Sequence, residues 1–84
     1  MNSSICILYL EDNPIDVELL RAVLEKDGLK YEMSVVDTRE DYVAAIEAGG
    51  HVLILADYQL PSFDGMAALE IAREKSPDLP FIFV

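Results

Sequence analysis

The sequence predicts an α/β fold: a doubly wound parallel sheet with helices on both faces. Three observations predict it. Short apolar runs of strand length recur along the chain, and segments with helical periodicity separate them. The two most apolar early runs, Ile5 to Leu10 (ICILYL) and Val52 to Ala56 (VLILA), both end in carboxylates. Strict alternation of strand and helix favours parallel pairing through right-handed crossovers. Strands covered on both faces read as continuous apolar runs. With 84 residues the chain makes one domain, residues 1–84. A domain this small hides only about 60% of its unfolded surface.

The elements follow in order. Ile5 to Leu10 is the first strand, and it stops at Glu11-Asp12. Asn13-Pro14 starts a helix, with Asn13 as N-cap and Pro14 at the first helical position. Ile15, Leu19, Leu20, Val23 and Leu24 recur at helical spacing and predict one apolar face, and Gly28 can end the helix in a left-handed turn. Tyr31 to Val36 is a less apolar second strand and is expected at an edge. Thr38 can cap the second helix, Glu40 and Asp41 sit in its first turn, and Tyr42, Ala45 and Ile46 form its buried face before Gly49-Gly50. Val52 to Ala56 is the third strand, ending at Asp57. A loop from Tyr58 to Asp64 contains Pro61, and Asp64-Gly65 opens a third helix with Met66, Leu69, Ile71 and Ala72 expected inward. Ser76-Pro77 closes it, and Pro80 to Val84 (PFIFV) is the fourth strand.

Composition excludes several classes of function. Acidic side chains outnumber basic ones 16 to 6, for a formal charge of −10. Such a field repels nucleic acid and anionic membrane surfaces. Cys6 is the single cysteine, so neither an internal disulfide nor a cysteine-rich zinc site can form. Cys6 is expected as a small core residue. No apolar stretch approaches the roughly 20 residues of a membrane helix, and the N-terminus lacks the signature of a secretory signal. The expected location is the cytoplasm.

In open parallel sheets the chemistry lies beyond the carboxyl ends of the strands, where the strand order reverses. Glu11, Asp12 and Asp57 are expected to converge there. Clustered like charges raise one another's pKa unless a cation neutralises them. Mg²⁺ does so with one or two protein carboxylates, and it keeps waters that phosphate oxygens can displace. Such a site suits arrival of a phosphoryl group on a metal-held carboxylate. The plain alternative, that these acids are only solvated loop residues, is weakened because they end the two most apolar early strands together.

Leu8-Tyr9-Leu10-Glu11-Asp12-Asn13-Pro14, then Leu55-Ala56-Asp57-Tyr58, then Leu60-Pro61-Ser62-Phe63-Asp64-Gly65 resemble the receiver domain of two-component response regulators. The resemblance runs from the first strand to the fourth, and PFIFV is similar to the fourth strand of receivers attached to sensory or hybrid histidine kinases. It implies a flavodoxin-like (CheY-like) fold with strand order 2-1-3-4-5. It implies that Asp57 is the phosphoacceptor, taking its phosphoryl group from a phosphohistidine on a histidine kinase or phosphotransfer domain. It further implies Mg²⁺ ligation by Asp12 and Asp57, by Glu11 mostly through a water, and by the backbone carbonyl of Gln59. Pro61 and Gly65 would shape the loop after the acceptor. It implies a phosphoacceptor domain rather than a turnover enzyme, although a parent protein could be a histidine kinase.

The family also carries a Ser or Thr after the fourth strand, and a Lys and a switch aromatic later. The sequence ends at Val84 and nothing in it is matched to them. Lys75 lies late in the third helix and is no substitute. The expectation is therefore a receiver truncated after its fourth strand, with impaired chemistry and an exposed fourth-strand edge that favours a homo-oligomer through residues 80–84. The runner-up is a receiver-like interaction or dimerisation module that binds metal or a partner without being phosphorylated. A haloacid-dehalogenase-type phosphatase wants Asp-x-Asp after the first strand, and Glu11-Asp12-Asn13-Pro14 does not supply it. Nucleotide or flavin binding wants a glycine- or hydroxyl-rich loop there. His51 is expected as a solvent-facing residue at a strand start, Met33 and Met66 as packing residues, and Asp64 as an N-cap. Glu18, Glu25, Glu32, Glu47, Glu70 and Glu74 form a solvated face.

Overall fold

A computed structural model describes residues 4–57 and 64–84. The order is β1 (Ile5–Leu10), α1 (Pro14–Lys26), β2 (Tyr31–Val36), α2 (Arg39–Ala48), β3 (Leu53–Ala56), α3 (Gly65–Lys75) and β4 (Phe81–Phe83). The strands form one parallel sheet in the order β2-β1-β3-β4. The two apolar strands that end in acids are thus central and adjacent, and β2 is an edge, as the sequence implies. The third strand starts at Leu53, one residue later than its apolar run, and Val52 N–H donates to Cys6 O at 2.8 Å just before it.

Short polar side chains set the helix starts. The Asn13 side chain accepts from Ile15 N–H at 2.9 Å, Thr38 from Asp41 N–H at 3.1 Å, and Asp64 from Met66 N–H at 3.1 Å. Each satisfies a backbone donor that has no partner inside its helix. After α1 the chain turns through Gly28 at φ 71°, and after α2 through Gly49 at φ 76°, a region that L side chains avoid.

The main core lies between the sheet and the pair α2/α3. Leu8, Leu10, Ile54 and Ala56 from the strands meet Tyr42, Ile46, Ala68 and Ala72 from the helices. Tyr42 is wholly buried, and its hydroxyl donates to the Ala68 carbonyl at 2.7 Å. The ring needs small neighbours, so α3 turns Gly65, Ala68 and Ala72 inward. Of the expected inward set, Ala72 is buried and Ile71 packs half-buried against this core, whereas Met66 is 45% exposed and Leu69 is half-buried.

The first helix needs a similar correction. Val17 is its buried residue, Leu20 and Leu24 are half-buried, and Ile15, Leu19 and Val23 are exposed. Two apolar stripes compete on α1, and the sheet takes the one through positions 17, 20 and 24. Cys6 is also not a core residue. It is half-buried near the start of β1, with its thiol 3.6 Å from a Glu32 carboxylate oxygen. His51 is half-buried rather than solvent-facing, its Nε2 3.5 Å from the Ser34 hydroxyl. Lys75 pairs with Glu47 at 3.0 Å, tying the ends of α3 and α2 together. Among the described residues no helix is long and apolar enough to cross a membrane.

Candidate functional site

The backbone ladder places the acids. Glu11 N–H donates to Val36 O, which continues the β1–β2 pairing one step past the strand, and Asp57 N–H donates to Leu10 O, which does the same for β1–β3, both at 3.0 Å. These two bonds fix the tip of β3 against the tip of β1. As a result Glu11, Asp12 and Asp57 each offer a carboxylate oxygen, and these oxygens lie within 4.8 Å of one another. The convergence expected from the sequence is therefore present. The Gln59 carbonyl and Pro61 fall outside the described residues, and Gly65 is buried at the start of α3. Asp64 caps α3, as expected.

The three acids have different surroundings. Asp12 is exposed, Asp57 is half-buried, and Glu11 is only 4% exposed. Glu11 is held on both carboxylate oxygens: Oε2 accepts from the backbone N–H groups of Asp12 and Asn13 at 3.1 Å each, and Oε1 accepts from the Tyr9 hydroxyl at 3.3 Å. The turn into α1 points those two N–H groups back at it. Burial pushes the Glu11 carboxyl up from its ordinary value; the Asn13 N–H works against that shift, and the charge of Asp57 adds to it. Burial pushes the Tyr9 phenol up to about 12, helped by the negative charge of Glu11. Asp16, in the first turn of α1, adds its charge to both groups.

Sequence reading missed Tyr9 and Asp16. Tyr9 is hidden in an apolar run, yet the period of two along a strand puts it on the same side as Glu11. That alternation was the available signal. An open groove lined by Tyr9, Glu11, Asp16, Leu19, Val23 and Asp57 leads to the acids.

The donor set fits magnesium. Every donor is an oxygen, as a hard cation requires, and three mutually repelling carboxylates are relieved by a divalent charge.

Comparison with known proteins agrees with this fold. The model of the response regulator receiver domain matches residues 7–84. Regulatory protein LuxO of Vibrio cholerae is 35% identical over 75 residues, covering 89% of this chain but 16% of its own length. The receiver domain of a sensor histidine kinase from Pseudomonas aeruginosa, crystallised with a magnesium ion coordinated in its active site cleft, superposes with a TM-score of 0.79 at 29% identity. That match covers 96% of this chain and 66% of that one. A co-crystal of a Saccharomyces cerevisiae histidine phosphotransfer protein with the receiver domain of its downstream response regulator gives a TM-score of 0.66 at 31% identity, covering 84% of this chain and 48% of that one. The chain belongs to the response regulator receiver domain family, the signalling domain of two-component systems. It spans a small fraction of the length of the curated relatives it matches.

Proposed function

We propose that Asp57 accepts a phosphoryl group from a phosphohistidine on a histidine kinase or phosphotransfer protein. The reading is carried by one observation: Glu11, Asp12 and Asp57 converge at the carboxyl end of the two central strands. In the transfer an Asp57 carboxylate oxygen bonds to phosphorus as the P–N bond breaks, and the bonding pair returns to the imidazole nitrogen. A loose transition state of this kind asks the protein mainly for positioning and charge neutralisation. Asp12 and Asp57 would hold magnesium directly, Glu11 mostly through a water, and the Gln59 carbonyl would complete the protein ligands. When bound, magnesium supplies the positive charge that lets an anionic phosphoryl group approach three acids. The partner kind is supported by the yeast co-crystal, in which a receiver domain sits with a phosphotransfer protein. The same reading carries a cytoplasmic location and a phosphoacceptor role rather than an enzyme's turnover.

Residues 1–84 contain the acceptor and the acids, whereas the hydroxyl and lysine that the family uses fall later. Each such group commonly contributes about 10²-fold or more. We therefore infer that these 84 residues alone are phosphorylated more slowly than a chain extended through a fifth strand.

The test uses phosphoramidate, a small donor with the same P–N bond, and intact-mass detection. One phosphoryl group is expected on the wild-type chain and on Asp64→Asn, and none on Asp57→Asn. Equal uptake by Asp57→Asn would refute the assignment. A second reading, a module that binds metal or a partner without being phosphorylated, draws support from β4. In this outer strand Ile82 is 48% exposed, and Val84 just after it is 59% exposed; unpaired edges recruit further strands. It predicts a homodimer or larger assembly through residues 80–84. Light scattering at high concentration checks this, and a clean monomer would discard it.

A further inference from the structure

We propose that Tyr9 is a positioning residue for the magnesium site, and that its hydroxyl sets the preference of that site for a small ion. The inference rests on the magnesium reading above and concerns a residue that this reading does not use.

An ionised carboxylate has about four acceptor sites, two on each oxygen. On Glu11 both sites of Oε2 are taken by the N–H groups of Asp12 and Asn13, and one site of Oε1 is taken by the Tyr9 hydroxyl. These three donors leave one acceptor site, on Oε1, and the Asp12 carboxyl lies close beside the Glu11 carboxylate. Glu11 can therefore make a single bond, to an ion or to a water on it. Bidentate binding is closed to it.

That limitation discriminates between cations. Ca²⁺ uses six to eight oxygens in flexible geometry and readily takes carboxylates bidentate, while Mg²⁺ demands near-ideal octahedral geometry with few protein ligands. A carboxylate restricted to one oriented lone pair suits the smaller ion. Tyr9 supplies the restriction from a rigid position. It is 3% exposed, and it lies on a central strand paired on both sides. At 3.3 Å its bond is longer than the usual O–H···O distance of about 2.7–2.8 Å, so the phenol steers Glu11 rather than clamping it. In Tyr9→Phe the ring packing stays, but the carboxylate can pivot about its anchored Oε2. A displaced ligand costs an ion with strict octahedral demands more than it costs a larger, adaptable one.

The experiment measures Mg²⁺ and Ca²⁺ affinities of wild type and Tyr9→Phe by calorimetry, with each ion alone. Loss of a partner to a ligating carboxylate commonly weakens metal binding 10–100-fold. For a steering bond the lower end is expected: Mg²⁺ binding about tenfold weaker, Ca²⁺ binding much less affected, and the Mg²⁺ to Ca²⁺ affinity ratio reduced. Equal weakening of both ions would mark a merely structural role and overturn the proposal, as would unchanged Mg²⁺ binding. Should Tyr9→Phe not fold, the wild-type chain decides. With ¹³C-labelled tyrosine, the Tyr9 ring signal is expected to move in step with Mg²⁺ occupancy while that of Tyr42 stays fixed. A Tyr9 signal that ignores bound Mg²⁺ would overturn the proposal. If wild type binds no Mg²⁺ at all, the underlying metal reading fails, and the inference falls with it. Mg²⁺ binding with an unaltered ion ratio in Tyr9→Phe removes the inference alone.

Discussion

The two faces of the sheet are built differently. Facing α2 and α3, Leu8, Leu10, Ile54 and Ala56 are buried completely, and Tyr42 fills the space between them. Facing α1, Ile7 and Tyr9 are buried, but Leu53 and Leu55 are only half-covered, and Ile15, Leu19 and Val23 on the helix stay exposed. One face is closed apolar packing. The other opens, at its carboxyl end, into the groove beside Asp57 and buries a charged residue, Glu11. Close packing and the candidate site thus lie on separate sides of one four-stranded layer. The central strands serve both, because alternate residues point to opposite faces.

The sharpest way to break this division is to damage the closed face and ask whether the acids notice. Leu8→Ala removes a fully buried side chain from the closed face. A loss of about 2–5 kcal/mol is expected, large against the 5–15 kcal/mol or so of a typical domain. Urea denaturation measures it. Mg²⁺ affinity per folded molecule should not change, and a parallel loss of affinity would show that the two faces are one cooperative unit.

The reciprocal experiment touches only the acids. A ligand that binds the folded state alone adds about 2.7 kcal/mol at one hundred times its dissociation constant. Mg²⁺ at that level should raise the melting temperature of wild type, and chelation should reverse the rise. In Asp12→Asn the rise should vanish, while metal-free stability stays within about 0.5 kcal/mol of wild type, since Asp12 is exposed. A metal-dependent rise that survives in Asp12→Asn would remove Asp12 from the site.

A smaller effect tests the polar atom inside the closed face. The Tyr42 hydroxyl donates to Ala68 O, and burial raises its pKa above the ordinary value of 10.0. Tyr42→Phe should cost about 1 kcal/mol at neutral pH. The sign of the pH dependence follows from linkage. With the folded pKa above the unfolded one, the stabilisation is complete below pH 10. As pH rises beyond that, the unfolded chain releases the proton and the native state keeps it, so stability falls by up to about 1.4 kcal/mol per pH unit. Tyr42→Phe should therefore lose less stability than wild type between pH 10 and 11. Parallel curves would mean that the phenol is not sealed from water.

Much of this arrangement is legible in the sequence because it is local. Asn13, Thr38 and Asp64 announce helix starts through their own side chains. ICILYL and VLILA identify the central strands, and the acids ending them reveal the site once parallel pairing is inferred. What stays hidden depends on partners distant in sequence. The inward face of α3 is set by the bulk of Tyr42 on another helix, so Ala68 is buried where Met66 was expected. Cys6 lies in an apolar run, but near the start of its strand, beside Glu32, where the core has thinned. Tyr9 looks like one more apolar letter until its hydroxyl is seen to meet Glu11.

The first helix carries the smallest and most specific test, because its two apolar stripes cannot be ranked from periodicity. Val17 is 8% exposed and Val23 is 57% exposed on the same helix. Alanine is the better helix former by a few tenths of a kcal/mol, and this gain applies at both positions. At Val17 it is outweighed by the loss of two buried methyl groups, at about 0.8 kcal/mol each, so Val17→Ala should destabilise by about 1 kcal/mol. At Val23 little apolar contact is lost, and Val23→Ala should leave stability unchanged or raise it slightly. A loss at Val17 with none at Val23, six residues further along the same helix, would show that the sheet takes the stripe through Val17. Equal losses at both sites would mean that something covers Val23, in self-association or in folding, and would erase the contrast between the faces.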